Sequence, residues 1–190
     1  MKLLKRIEYN APVTLTFSLI CFVVLIFYNI FGERFLYAFA MTYNDSLLSP
    51  MMYVRMVTHI FGHLGWDHFI GNMSFILLLG PMVEEKYGSE KLMVMILATG
   101  LIAGILNNVL FPSVALCGAS GIVFMLIVLS SVTSVQSGKL PLTLVLVMII
   151  YLGAEIYNAI MVTDSISQFT HIVGGICGSI FGLFSDKNKK

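Results

Sequence analysis

Residues 92–138 read LMVMILATGLIAGILNNVLFPSVALCGASGIVFMLIVLSSVTSVQSG, without a single charged side chain between Lys91 and Lys139. A helix needs about 20 mostly apolar residues to cross a hydrocarbon core roughly 30 Å thick. Two apolar runs inside this stretch, at about 92–111 and 118–135, approach that length. The stretch therefore predicts two membrane-spanning helices, and Ser120 lies at the start of the second one.

The rest of the chain extends this pattern. Four more apolar runs lie at about 13–31, 67–83, 140–161 and 166–184, which gives six predicted spans. At 58% hydrophobic and 11% charged residues, with a mean hydropathy of +0.92, the chain is not a soluble globular domain. No polar linker divides it. We expect an all-α membrane protein of six transmembrane helices, forming a single integral-membrane domain over residues 1–190.

Charge and cysteine content exclude several classes of function. The net charge is +1 and no Lys/Arg-rich run is present, so nothing points to nucleic acid. The three cysteines, Cys21, Cys117 and Cys177, show no CxxC spacing. Neither a disulfide framework nor a zinc knuckle follows from them, and we expect no cofactor and no metal.

Basic residues predict the orientation in the membrane. Six spans put both termini on one side, and nine of the eleven Lys and Arg residues fall there: Lys2, Lys5, Arg6, Lys86, Lys91, Lys139, Lys187, Lys189 and Lys190. Because cytoplasmic loops carry the excess of Lys and Arg, both termini are expected in the cytoplasm and the protein in the cell membrane. A cleaved signal peptide is the alternative, since Ala38-Phe39-Ala40 follows the first apolar run. That run is too long, and Glu33-Arg34 intervene.

Four polar side chains are predicted to lie at one depth below the outer surface. His68 and Asn72 are in the first turns of the second span, Ser120 begins the fourth, and His171 lies early in the sixth. At 1.5 Å of rise per residue, their depths agree within roughly 10 Å. Ionisable groups inside a membrane are functional candidates by default. Their convergence predicts a site.

The four residues suit acyl transfer. Ser120 is a nucleophile once a neighbouring base takes its proton, and a neutral His171 is such a base. The Ser120 backbone N–H, His68 and Asn72 are candidate donors to an oxyanion. No acid completes a triad convincingly, because the nearest one, Asp164, precedes the sixth span. We therefore expect a Ser–His dyad.

Small residues near Ser120 and His171 predict that the two helices carrying them approach closely. Gly174 and Gly178 have the GxxxG spacing that permits such packing. On the facing helix, the small residues Ala119 and Gly121 reduce the side-chain volume between the two backbones. Helix packing without chemistry is the alternative interpretation, since Gly100 and Gly104 show the same spacing.

Together these motifs resemble the rhomboid family of intramembrane serine proteases. The matching segments are His68-Phe-Ile-Gly-Asn72, Gly118-Ala-Ser120-Gly121 and His171-Ile-Val-Gly174-Gly-Ile-Cys-Gly178, and the resemblance covers about residues 51–184. It implies that Ser120 is the nucleophile, His171 the base, and His68 and Asn72 the oxyanion donors. The implied substrate is a single-span membrane protein cut near its outer end.

The resemblance extends to two further places. Arg55-Met-Val-Thr-His59-Ile-Phe-Gly-His63 is similar to the end of the family's first outer loop, and Glu84 to an acidic position at the inner end of its second helix. Two departures are visible. Val54 replaces a frequent tryptophan, and Phe124 replaces a frequent tyrosine one turn after the serine.

Other interpretations remain open at this stage. His59, His63 and His68 permit a metal site, although structural hydrogen bonding by His59 and His63 is the expectation. Glu155 is an ionisable residue in the fifth span, at the edge of a cavity or reaching the surface. Cys117 is a less suitable nucleophile because it lacks the glycine frame.

A non-catalytic rhomboid-like adaptor and a small polytopic metal transporter are the alternative functions. Membrane lipid is an expected partner, and the oligomeric state is left open.

Overall fold

In the computed structural model, residues 8–135 and 165–185 are described, together with positions 142, 145, 146, 149 and 150. These parts of the chain form seven α-helices and one 3₁₀ turn at His59–Phe61. The helices are α1 (Pro12–Phe31), α2 (Glu33–Phe39), α3 (Pro50–Thr58), α4 (Trp66–Tyr87), α5 (Ser89–Leu110), α6 (Ser120–Val135) and α7 (Ser165–Ser185). Within the described ranges the only β-type pairing is the isolated bridge between Thr42 and Leu116. The all-α prediction is confirmed.

Helices α1 and α5 are long and apolar enough to cross a membrane, and α6 and α7 contain the shorter apolar stretches Ser120–Ser131 and Phe169–Phe184. The predicted fifth span, 140–161, falls outside the described residues except at isolated positions. The count of six spans and the single-domain organisation therefore stay predictions.

Two predicted boundaries need correction. Helix α4 runs to Tyr87, past the predicted end at residue 83, because the buried Glu84 has hydrogen-bond partners and does not end the helix. Helix α6 begins at Ser120 and not at 118, because Gly118 has a φ of +128°. That angle lies in the left-handed region, outside the helical range.

The Glu84 carboxylate joins three helices at one end of the bundle. Helix α1 has no capping side chain of its own. Instead, its Val13 and Thr14 N–H groups donate to the two Glu84 oxygens at 2.8 and 2.9 Å, and the Thr14 hydroxyl donates at 2.8 Å. The Ser89 hydroxyl at the start of α5 also donates, at 2.8 Å. An acceptor on the free N–H groups of a helix supplies the missing cap and complements the helix dipole.

This arrangement predicts a stability loss in Glu84→Gln. The amide keeps the shape of the side chain but turns an NH₂ group towards two of the four donors. We expect a loss of about 2–3 kcal/mol, seen as a fall in Tm of roughly 4–10 °C in detergent. The neighbouring Glu85 is exposed, so Glu85→Gln is the matched control and should leave Tm unchanged. An equal effect of the two substitutions would contradict the capping role.

Helices α6 and α7 touch along their backbones. A Cβ atom at Gly174 would collide with the Gly121 carbonyl oxygen, and one at Gly178 would lie 2.5 Å from the Met125 carbonyl oxygen. Both contacts advance by four residues, so the two helices run parallel. The predicted close approach through Gly174 and Gly178 is confirmed.

The other glycine pair, Gly100 and Gly104, packs α5 against a different element. A Cβ at Gly104 would collide with the Met56 backbone, and one at Gly100 would lie 2.9 Å from an Ile60 methyl carbon. This pair therefore seats α3 and the 3₁₀ turn on α5. As expected from the sequence, its role is packing.

Candidate active site

Ser120 is the first residue of α6 and is half-buried. Two residues earlier, Gly118 takes the left-handed φ of +128°, and its N–H donates to the His59 carbonyl oxygen at 3.0 Å. The first N–H groups of a helix have no acceptor within the helix. The serine is thus placed where its hydroxyl and free backbone donors lie together.

The loop before α6 is held by Thr42, a residue that no motif in the sequence singles out. Thr42 pairs with Leu116 through backbone hydrogen bonds of 2.9 and 2.8 Å, and its hydroxyl donates to the Asn108 side-chain oxygen at 3.1 Å. Asn107 donates its side-chain N–H to the Val114 carbonyl oxygen at 3.0 Å. Thr42 is far from the loop in sequence, and no local pattern signals this pairing.

His68 and Asn72, one turn apart on α4, both face the Gly118 backbone. A Cβ atom at Gly118 would lie 2.7 Å from His68 Nε2 and 4.0 Å from Asn72 Nδ2. Only glycine leaves room for the imidazole at this position. The predicted pairing of these two side chains on one face, next to the start of the serine helix, is observed.

Hydrogen bonding indicates that a neutral His68 carries its proton on Nε2. The Leu64 N–H approaches His68 Nδ1 at 3.4 Å, which makes that nitrogen an acceptor. In a neutral imidazole the other nitrogen then carries the proton. Asn72 is buried, and its side-chain nitrogen has no acceptor among the described residues. Two N–H donors are therefore directed at the turn before Ser120.

His171 lies in the first half of α7 and is 6% exposed. Its ring stacks on Phe124, with ring centroids 4.2 Å apart and planes inclined by 15°. Phe124 is one turn after Ser120 on α6. The preceding residue, Thr170, packs on Gly121, whose Cβ position would be 3.1 Å from the threonine methyl carbon. Ser120 and His171 thus both lie at the N-terminal side of the close contact between Gly121 and Gly174.

The contacts of His68 and Asn72 with Gly118, and of His171 with Phe124, bring the starts of α4 and α6 and the first half of α7 to one end of the bundle. Ser120, His171, His68 and Asn72 lie there together, opposite the end that Glu84 joins.

His59 and His63 have structural hydrogen bonds, as the sequence led us to expect. Both are buried. His59 Nε2 lies 3.0 Å from the Gly100 carbonyl oxygen, and His63 Nδ1 lies 3.2 Å from the Phe61 carbonyl oxygen. The His63 ring also contacts the His68 ring, with centroids 5.0 Å apart. These contacts hold the segment between α3 and α4 beside the site.

Cys117 does not offer a competing nucleophile. Burial raises the pKa of its thiol to about 12, and a protonated thiol is a poor nucleophile.

Asp164 and Glu155 lie outside the described residues.

The segment between α2 and α3 is fixed by a charged pair. Arg55, which is buried, contacts the Asp45 carboxylate at 2.6 Å and stacks over the Tyr43 ring, 4.2 Å from its centroid. The Ser46 N–H, and after it the Arg55 guanidinium, hold the pKa of Asp45 below its usual value. This pair braces the loop near the position where Val54 departs from the family pattern.

Comparison with known proteins identifies the class. The model of the rhomboid domain matches residues 50–187, close to the range of about 51–184 inferred from the motifs. The chain belongs to the rhomboid family, and with its apolar helices it is an integral membrane protein.

The sequence identity to individual relatives is low. The chain is 25% identical over 182 residues to the rhomboid protease GlpG of Yersinia pestis (strain Pestoides F). It is 24% identical over 181 residues to the protein of the same name from Yersinia enterocolitica serotype O:8. Each match covers 93% of this chain but only 64% of the relative.

Proposed function

We propose that this protein is an intramembrane serine endopeptidase. The observation that carries the proposal is the approach of His68 Nε2 and Asn72 Nδ2 to the Gly118 backbone, two residues before Ser120. A packing role alone does not require two N–H donors at the start of a helix that begins with serine. The close contact of α6 with α7, which places His171 on the same side, supports the same assignment.

The proposed reaction is acyl transfer in two steps. His171 takes the Ser120 hydroxyl proton while Oγ attacks the scissile carbonyl carbon. The oxyanion accepts hydrogen bonds from His68 Nε2–H, Asn72 Nδ2–H and the Ser120 N–H. His171 then protonates the leaving amine, and the peptide bond breaks to give an acyl-enzyme. Water, deprotonated by His171, releases the acyl group and restores the serine.

The proposed substrate is the one that the family resemblance implies. It is a membrane protein with a single span, cut near the outer face. A helix hides its carbonyls in hydrogen bonds, so helix-breaking residues at the cut should favour cleavage. The Yersinia relatives are named as proteases, which agrees with this proposal.

The direct test is cleavage of a model single-span substrate by the purified protein. Wild type should cut it, and Ser120→Ala should not. A chelator should leave the activity unchanged, whereas a serine-directed phosphonate should abolish it. Substrate binding without cleavage by wild type would favour the adaptor, and inhibition by the chelator alone would favour a metal-dependent function.

We further propose that both termini are cytoplasmic and that the site faces outwards. The end joined by Glu84, where α1 and α5 begin and α4 ends, carries Lys86 and Lys91. Six spans would add the remaining basic residues of the two termini and of the loop at position 139 to this side. In a variant lacking the native cysteines, a cysteine at position 46 should react with an impermeant thiol reagent in intact cells. One at position 137 should stay unlabelled until the cells are opened. The reverse pattern would place the site on the cytoplasmic side.

A further inference from the structure

His63 is a buried imidazole beside the site, and the proposed reaction gives it no role. It lies between the 3₁₀ turn and α4 and is fully buried. Its ring contacts the His68 ring, with centroids 5.0 Å apart and planes inclined by 64°. It also meets the Phe69 ring edge-on, with centroids 5.6 Å apart. One imidazole therefore contacts two successive side chains in the first turn of α4.

The orientation of His63 is itself fixed. Its Nδ1 lies 3.2 Å from the Phe61 carbonyl oxygen, and because a carbonyl only accepts, Nδ1 carries the proton of the neutral ring. Burial, and after it the neighbouring His68, lowers the pKa of His63 to about 3. The preceding Gly62 packs tightly, since a Cβ atom there would collide with the Ala40 carbonyl oxygen. His63 thus presents a neutral ring in a fixed position.

His68 depends on such a neighbour because its own hydrogen bond is weak. The Leu64 N–H approaches His68 Nδ1 at 3.4 Å, beyond the usual range of about 2.7–3.2 Å. The torsion that turns an imidazole about its Cβ–Cγ bond has broad minima, so this long bond alone holds the ring poorly. Among the described residues, His63 is the one whose ring contacts the His68 ring.

We infer that His63 is a positioning residue, whose ring holds the His68 imidazole in the orientation that directs Nε2 at the Gly118 backbone. The contact to be maintained is close, because a Cβ atom at Gly118 would lie 2.7 Å from His68 Nε2. This inference rests on the proposed role of His68 as an oxyanion donor. A donor stabilises the oxyanion only when it is aimed at it, so a loosened His68 loses part of what its removal would lose.

Two substitutions separate the flat ring from the rest of the side chain. His63→Phe keeps a ring and His63→Leu does not, while both lose the hydrogen bond to the Phe61 carbonyl. We expect kcat to fall about 10–100-fold in His63→Leu but less than about threefold in His63→Phe, with KM nearly unchanged in both. Equal values of kcat in the two variants would overturn the inference.

The control for lost stability is Ile60→Ala. Ile60 is buried in the same segment and packs on Gly100, away from His68. This variant should lower Tm and keep normal turnover per folded molecule. A loss of turnover equal to that of His63→Leu would show that any loosening of the segment has the same effect, and would contradict a specific role of His63.

A double-mutant cycle tests whether His63 acts through His68. In a His68→Ala background, His63→Leu should have no further effect on kcat, because no donor is left to be held. In an Asn72→Ala background, the full effect of His63→Leu should persist. Residues that act independently give additive losses. Additive losses in the His68→Ala background would therefore contradict the inference.

The orientation of His68 can also be measured without catalysis. The chain has four histidines, so selective ¹⁵N-histidine labelling gives a simple NMR spectrum that single substitutions assign. At neutral pH, wild type and His63→Phe should show His68 as one tautomer with its proton on Nε2, and His63→Leu should show an average of two tautomers. His63→Met takes the place of His63→Leu if that variant does not fold.

The spectra separate this inference from the proposed function. An unchanged His68 tautomer in the variant without a ring would overturn the positioning role, whether or not the wild type cuts a substrate. The expected spectra from a wild-type protein without activity would contradict the proposed protease function and leave the positioning of His68 established.

Discussion

Ser120→Ala and His171→Ala are each expected to lower cleavage of a single-span substrate by a factor on the order of 10⁴–10⁶. The double variant should be no worse than either single one, because nucleophile and base act as a unit. The reason is that an alanine at either position leaves no activated oxygen to attack the carbonyl. Initial rates on one substrate, measured for all four proteins in the same detergent, give the comparison.

The control for this prediction is Ser131→Ala on the same helix. The Ser131 hydroxyl donates to the Ile127 carbonyl oxygen at 2.8 Å and is remote from the start of α6, so this variant should keep wild-type activity. Labelling with a fluorescent serine-directed phosphonate should be lost in Ser120→Ala and retained in Ser131→Ala. Cleavage by Ser120→Ala at the wild-type rate would end the serine mechanism.

Asn72→Ala should reduce kcat by about 10²–10³ and leave KM nearly unchanged. The Asn72 amide is expected to contribute little to substrate binding, because it donates to negative charge that appears only in the transition state. The remaining activity should still require Ser120. Substrate titrations of wild type and Asn72→Ala, each with a melting curve on the same preparation, measure both effects.

If Asn72 only packs, Asn72→Ala should have a lower Tm but normal turnover per folded molecule. That result would exclude the role of Asn72 as a hydrogen-bond donor to the oxyanion. Asn29→Ala is a suitable control, since among the described residues the Asn29 side chain bonds only the Leu25 carbonyl oxygen in its own helix. His68→Ala should resemble Asn72→Ala, with an added packing effect, because the ring also contacts His63.

The sequence could predict the convergence of the four site residues because charged loops fix the direction of each span. Once α4, α6 and α7 are known to start on one side, the positions of His68, Ser120 and His171 within them determine a common depth. The close approach at Gly174 and Gly178 was predictable for a similar reason, since a four-residue repeat of glycine places both on one helix face.

Contacts between remote segments could not be predicted from local patterns. Glu84 looked like the charged end of a span, but its partners Val13 and Thr14 are about 70 residues earlier. The pairing of Thr42 with Leu116 and the bond from Gly118 to His59 are of the same kind. Such contacts depend on how the helices and loops pack, and neither periodicity nor composition encodes them.

The stacking of His171 on Phe124 has a consequence for the energy of the reaction itself. In the proposed mechanism the imidazole becomes a cation during each chemical step, and a cation over an aromatic face is attracted to the ring electrons. The Phe124 ring cannot donate a hydrogen bond, but its face can stabilise the imidazolium that the proposed mechanism forms in each chemical step. Both rings are buried within the bundle, where a carboxylate in the same role would be costly to bury.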